Sequence, residues 1–229
     1  VTMTALFVTG TDTDSGKTLV TLALMQALQD KGLTVNGYKP VAAGINREGL
    51  NSDALLIQKK STMELDYKQV NPYLFAPPIA PHIAAAQVNK TINMAKIAVG
   101  LKELQSSVDA VIVEGAGGWL VPLNENEDVA EIAVQNALPV LLVVGLKLGC
   151  INHARLTAES VQARGGHLIG WIGTATDKKM INVEENIQAL KHYIDAECLG
   201  IIPFSDEMVE QKAAPLINAE RLMQLLGLD

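Results

Sequence analysis

Short apolar runs alternate along this chain with longer segments in which apolar residues recur every three or four positions. The runs at 5–9, 35–40, 108–114, 140–144, 167–173 and 199–202 read as strands. Four of them are close to fully apolar, as strands covered on both faces must be. Helical spacing covers 17–30, 53–60, 91–106, 129–135, 150–164, 183–195 and 218–226. Strands alternating with helices predict an α/β fold: a mostly parallel sheet flanked by helices, with ligands bound at the carboxyl ends of the strands. No internal repeat, low-complexity stretch or linker divides the pattern, so 1–229 is expected to form a single domain. The segment 71–81 carries Pro72, Pro77, Pro78 and Pro81 and reads as an irregular loop, a kind of loop that is often functional.

The first strand–helix junction holds the first chemistry. Thr9-Gly10-Thr11-Asp12-Thr13-Asp14-Ser15-Gly16-Lys17-Thr18 lies between an apolar run and an amphipathic segment, which is the setting of a phosphate-binding loop. The Gly-Lys-Thr end would turn backbone N–H groups and a helix N-terminus toward an anion. Lys17 would reach the outer phosphates, and the Thr18 hydroxyl would hold Mg²⁺. The spacing departs from the usual form, because Thr11 stands where the first glycine is expected and Gly10 lies one residue earlier. The competing reading is an ordinary turn whose helix is capped by Asp14 or Ser15.

If the sheet is parallel, the residues just past each strand share one rim. Lys39 ends the second strand and is held extended by Pro40. Asn51-Ser52-Asp53 opens a helix and offers both a cap and a carboxylate. The run Val111-Ile112-Val113 ends in Glu114 and the turn Gly115-Ala116-Gly117-Gly118. A carboxylate at the end of a buried strand is costly unless it is paired or metal-bound. Gly145-Leu146-Lys147-Leu148-Gly149-Cys150-Ile151-Asn152 enters another helix, and Cys150 there reads as a packed small residue. The rim would then carry Lys17, Lys39 and Lys147, the carboxylates Asp53 and Glu114, and the Thr18 hydroxyl. That set suits Mg-ATP, with cationic charge left for a small anionic reactant.

Composition narrows the partners. The net charge of −7 over 229 residues gives no general attraction for nucleic acid or an anionic membrane. No apolar run approaches the roughly 18 residues of a membrane helix. Cys150 and Cys198 fit neither a metal site nor a disulfide framework, which suits a reducing, cytoplasmic setting. The chain enters its first strand at once, leaving no room for a signal peptide, and Val1-Thr2 ahead of Met3 reads as a cloning remnant.

In combination these motifs resemble the dethiobiotin synthases. The matching stretches are 8–18, Gly37-Tyr38-Lys39-Pro40-Val41-Ala42, Asn51-Ser52-Asp53-Ala54, Val70-Asn71-Pro72-Tyr73, 113–119 and 143–154, in the family's order, with a weaker match to about residue 210. The resemblance implies a homodimeric enzyme of the cytoplasm that closes a ureido ring. The substrates would be 7,8-diaminopelargonate, CO₂ and ATP, and the products dethiobiotin, ADP and phosphate. It implies that Lys39 holds a carbamate, and that Thr18, Asp53 and Glu114 hold Mg²⁺. Asp14, Ser15, Gly16, Lys17, Thr18, Leu19, Gly115, Ala116 and Gly117 would bind the nucleotide. Thr13, Ala43, Gly118 and Lys147 would line the substrate site, and Cys150, Ile151 and Asn152 would meet the substrate carboxylate from across the dimer interface. Thr174, Ala175, Pro203, Phe204, Ser205 and Glu210 would surround the base.

The chain departs from that pattern in three places, one being the loose match beyond residue 175 on which Pro203, Phe204, Ser205 and Glu210 depend. Ala43 stands where the family has a serine that contacts the substrate, a lost hydrogen bond worth roughly 1 kcal/mol. Thr174 stands where the family has an asparagine that reads adenine, so hydroxyls around 174–176 would face the base and discriminate less. Two rivals share the phosphate loop. A cobyrinate-type amide synthase would need an amidotransferase domain for which 229 residues leave no space. A partitioning or cell-division ATPase would carry a lysine at the position of Asp12.

Overall fold

An apolar run can be covered on both faces only if helices pack on each side of the sheet it joins. The computed structural model describes residues 4–228; Val1, Thr2, Met3 and Asp229, and with them the expectation for Val1-Thr2, lie outside the described residues. The strands are β1 (Thr4–Gly10), β2 (Val35–Tyr38), β3 (Val41–Ala43), β4 (Tyr73–Phe75), β5 (Ala110–Glu114), β6 (Pro139–Leu146), β7 (His167–Ala175) and β8 (Glu197–Ile202). Six form one sheet in the order β2-β5-β1-β6-β7-β8, and all its pairings are parallel. The helices are α1 (Lys17–Asp30), α2 (Ser52–Lys60), α3 (Tyr67–Val70), α4 (Pro81–Gln87), α5 (Met94–Gln105), α6 (Ala130–Gln135), α7 (Cys150–Ala163), α8 (Val183–Tyr193), α9 (Glu210–Ala213) and α10 (Ala219–Leu226). Each run expected to be a strand or helix is one, to within a few residues at its ends.

The two-residue period of β1 sorts its side chains between two cores. Leu6 and Val8 pack with α1 and α10 on one face, through Leu24, Leu28 and Leu222. Ala5 and Phe7 pack with α5 and α6 on the other, through Ile97, Leu101 and Ile132. β5 repeats the pattern, with Ile112 on the first face and Val111 and Val113 on the second. β1 is flanked by β5 and β6, with Val8 opposite Glu114 and Thr9 opposite Leu142. That register sets the phosphate loop beside the end of β5.

The segment 71–81 is not wholly irregular, which corrects the sequence reading. Tyr73–Phe75 forms β4, paired in parallel with β3, and Pro81 opens α4. Proline at the first turn of a helix lacks only an N–H that would be unpaired anyway.

Both outer edges of the sheet are closed by the chain itself. Along β2 the Val35 N–H donates to Thr62 Oγ1 (2.9 Å), the Gly37 N–H to Ser61 Oγ (3.0 Å) and the Thr62 N–H to the Val35 carbonyl (2.8 Å). Along β8 the Asn218 N–H donates to the Leu199 carbonyl (2.8 Å), and Gly200 bridges to Ile217.

Candidate active site

The loop between β1 and α1 is held in shape by backbone conformation. Gly16 precedes α1 with φ 89°, and no side chain caps the helix, so neither Asp14 nor Ser15 serves as a cap. A Cβ on Gly16 would lie 2.9 Å from the Thr174 hydroxyl oxygen, so the position needs glycine for space as well as for its positive φ. Asp14 also sits in the left-handed region, φ 57°, which aspartate tolerates better than most residues. Lys17 is buried at the helix start, and its ammonium donates to the Asp12 carbonyl (2.8 Å). Burial lowers the Lys17 pKa, and the nearby Glu114 carboxylate only partly restores it. A buried cation with one hydrogen bond is a site prepared for an anion.

Three rim residues converge on a second buried charge. Glu114 ends β5 and is 1% exposed, and Lys39, just past β2, is 5% exposed. The Lys39 ammonium donates to Glu114 Oε1 and lies 3.6 Å from Asp53 Oδ2. Burial alone would lower the Lys39 pKa, but Glu114 and then Asp53 outweigh it and raise it above the usual value, so this lysine is a fixed cation. Thr18 Oγ1 donates to Glu114 Oε1 (3.0 Å). Glu114 Oε2 is buried with no hydrogen-bond partner, an unsatisfied anionic oxygen that needs a cation or donor.

These groups line a cavity of about 690 Å³, together with Thr13, Asp14, Gly16, Leu19, Ala43, Ala116 and Gly117. The sequence reading missed Asn51, Pro78, Ile79 and Val121, which also line it. Asn51 caps α2 as its place ahead of the helix predicts, accepting from the Ala54 N–H (3.1 Å). Pro78 and Ile79 belong to the proline-rich segment, so that segment does reach the site. Gly115 is buried beneath the rim, and Gly118 lies at the turn, where Trp119 meets Phe7 of β1 edge to face at 6.2 Å. Ser15 is buried, and its hydroxyl has no partner.

A family model described as an AAA domain matches residues 4–212. A protein of Cellvibrio japonicus named ATP-dependent dethiobiotin synthetase is 48% identical over 202 residues, covering 87% of this chain and 89% of that one. Its namesake in Escherichia coli K12 is 47% identical over 210 residues, covering 90% and 93%. The one in Vibrio vulnificus is 42% identical over 226 residues, covering 97% and 100%. The chain belongs to the dethiobiotin synthetase family. Among solved structures the MinD cell division protein of Aquifex aeolicus superposes with a TM-score of 0.58 at 19% identity, covering 96% of this chain and 97% of that one. At that identity the likeness shows the shared phosphate-loop NTPase fold alone. Asp12, where a cell-division ATPase would carry lysine, is bound by the Lys147 ammonium (2.9 Å), which holds its carboxyl below the usual range.

Other residues that the family resemblance marks lie outside the cavity. Ile151 and Asn152 line a separate cleft of about 530 Å³ with Leu148 and Arg155 on the outer surface of α7. The Cys150 side chain is buried among Leu142, Val144 and Ala154, and its N–H donates to the Lys147 carbonyl (3.0 Å). Ala175 ends β7, and Pro203, Phe204 and Ser205 follow β8 as exposed residues, with the Lys178 ammonium 5.7 Å over the Phe204 ring. Glu210 opens α9.

Thr174 differs from its expected role. It is buried, its hydroxyl donates to the Ser15 carbonyl, and a second carbonyl, of Val144, lies at 3.5 Å. The hydroxyl is thus committed to carbonyls of the phosphate loop and of β6. Thr174→Asn is expected to raise the turnover ratio of ATP over CTP and GTP, because an amide adds donors and acceptors that threonine does not present. Equal ratios in the variant and the parent would overturn this.

Proposed function

We propose that this chain closes the ureido ring of dethiobiotin from 7,8-diaminopelargonate, CO₂ and ATP, releasing ADP and phosphate. The observation that carries the reading is Lys39, buried and held protonated between Glu114 and Asp53, in the cavity that also contains Lys17. One substrate amine adds to CO₂ and loses a proton, giving a carbamate, and Lys39 donates a hydrogen bond to that anion. The carbamate oxygen attacks the γ-phosphorus, and the bond to ADP breaks. The second amine adds to the carbamoyl carbon, loses its proton and expels phosphate, closing the ring. Lys17 lies where it can follow the charge growing on the phosphoryl oxygens, the main source of catalysis in such transfers.

Thr18, Asp53 and Glu114 fit a hard divalent cation: they are oxygen donors, and Glu114 Oε2 is a buried oxygen without a partner. Mg²⁺ bound by them would neutralise charge on the β- and γ-phosphates. Two carboxylates are the usual complement, since Mg²⁺ keeps several waters and takes its other oxygens from phosphate.

A homodimer completes the reading. Ile151 and Asn152 lie in a cleft apart from the cavity of their own chain, and beside them Leu148 is 94% exposed. A partner subunit could bring that cleft to the substrate carboxylate, which the backbone at the start of α7 would receive. Two thiols without disulfides, in Cys150 and Cys198, suit the reducing cytoplasm.

The test is direct. Purified protein with Mg-ATP, bicarbonate and 7,8-diaminopelargonate should yield dethiobiotin by mass spectrometry, and none when bicarbonate is removed. Release of ADP independent of the diamine, with no dethiobiotin, would overturn the reading.

A further inference from the structure

Lys39 and Asp53 come from different elements, and neither is held in place by its side-chain contacts alone. Behind the cavity a line of polar groups joins their backbones, with Asn51 and Asn71 buried and Tyr67 half-buried. Asn71 is 2% exposed. Its amide nitrogen donates to the Lys39 carbonyl (2.6 Å) and to the Tyr73 carbonyl (3.3 Å), and its amide oxygen accepts from the Tyr67 hydroxyl (3.0 Å). The Tyr67 oxygen in turn accepts from the Asn51 N–H (2.9 Å). Asn51 caps α2, the helix whose first turn carries Asp53, and its amide nitrogen donates to the Gly44 carbonyl (3.0 Å). The chain of bonds therefore runs from the Lys39 carbonyl through Asn71, Tyr67 and Asn51 to the start of α2.

We infer that Tyr67 and Asn71 are positioning residues that fix Lys39 against Asp53 through this hydrogen-bonded line. The inference rests on the proposed roles of Lys39 in carbamate binding and of Asp53 in metal binding. The Lys39 carbonyl is tied by Asn71, and the adjoining Lys39 N–H by the Val70 carbonyl (2.9 Å), so the residue is held on both sides. The other end is held less redundantly. The Asn51 N–H has the Tyr67 oxygen as its partner, and that hydroxyl is also what orients the Asn71 amide. Removing one oxygen atom would take away the partner of the Asn51 N–H and of the Asn71 amide oxygen and would loosen both ends of the line. The phosphate loop makes no bond to it, so the effect should separate from nucleotide binding.

Tyr67→Phe is the test, with Thr34→Val as its control. Thr34 lies at the opposite end of the sheet, where its hydroxyl donates to the Asp109 carboxylate (2.6 Å), so Thr34→Val also removes native hydrogen bonds but far from the site. Titration calorimetry with ATP in EDTA, and then with rising Mg²⁺, reads the metal site without turnover. Tyr67→Phe is expected to bind metal-free ATP within about twofold of the parent and to need several-fold more Mg²⁺ for the same tightening. Its kcat should fall roughly ten- to a hundredfold, the scale of an ångström-sized misplacement of reacting groups. Thr34→Val should show neither change, whatever its Tm. Parental kcat and Mg²⁺ dependence in Tyr67→Phe, or equal losses in Thr34→Val, would overturn the inference. Parent enzyme that makes no dethiobiotin would overturn the ring-closure reading instead, and the Mg²⁺ titration would still decide the role of the line.

Discussion

Lys39→Met is expected to cut dethiobiotin formation roughly a hundred- to a thousandfold, the usual cost of deleting a preorganised donor aimed at developing charge. ATP affinity should stay within a few-fold, because the phosphate loop keeps Lys17. The same substitution should destabilise the fold. Lys39 is the cation bound to the buried Glu114, and removing one partner of a buried pair costs about 3–5 kcal/mol. The two effects can be separated. Adding Glu114→Gln removes the stranded charge, so the double variant should recover much of the lost Tm while turnover stays low. Thermal melts on both variants check the stability effect, and product assays on Lys39→Met at temperatures below its Tm check the catalytic one; parental turnover there would make Lys39 a structural residue only. The pair also has a defined pH window. Because the folded pKa of Lys39 is raised, its stabilisation is fully present below the ordinary lysine pKa of 10.5 and is lost as pH climbs through the raised value. An alkaline fall in activity below that point would belong to another group.

Lys17→Met should have opposite effects on binding and stability. A charge-assisted hydrogen bond is worth about 1.5–3 kcal/mol, so ATP affinity should drop roughly tenfold to a hundredfold or more, and the rise in Tm on adding ATP should shrink accordingly. Without nucleotide the variant should be more stable than the parent. Burial lowers the Lys17 pKa, which means that the folded state disfavours the charged lysine and pays for it at neutral pH. A gain near 1 kcal/mol would appear as about 2–4 °C in Tm for a chain of this size. A lower Tm in the ligand-free variant would show that the bond to the Asp12 carbonyl outweighs the cost of burial.

What could be read in advance follows from the range of each interaction. Residues 5–9 and 108–114 declare themselves because a strand covered on both faces has no polar position to confuse the pattern. Lys17, Thr18, Lys39, Asp53 and Glu114 were legible because parallel strands deliver their carboxyl ends to one rim, whatever lies between them. β3 and β4 were not legible. Each is three residues long, and the register of Val41 opposite Tyr73 joins positions far apart in sequence. Thr174 misled for a related reason: a hydroxyl at a strand end can face solvent or a neighbouring carbonyl, and only the position of Ser15 decides. The line through Tyr67 and Asn71 was invisible because Asn51 reads as a helix cap and Asn71 as part of a loop, and no local pattern puts the Tyr67 hydroxyl between them.

The closed edges of the sheet carry one more consequence. Ser61 and Thr62 occupy bonding groups of Val35 and Gly37 on β2, and the segment at Ile217 and Asn218 occupies those of Leu199 and Gly200 on β8. An open edge would be a template on which a second chain could add a strand, as in domain swapping or fibril growth. Here such growth must first peel away the chain's own covering. Extending the sheet into a second chain would first require displacing those segments. Ser61→Pro and Thr62→Val would uncover the β2 side, and self-assembly seen first in those variants would mark that edge as the one the native chain keeps shut.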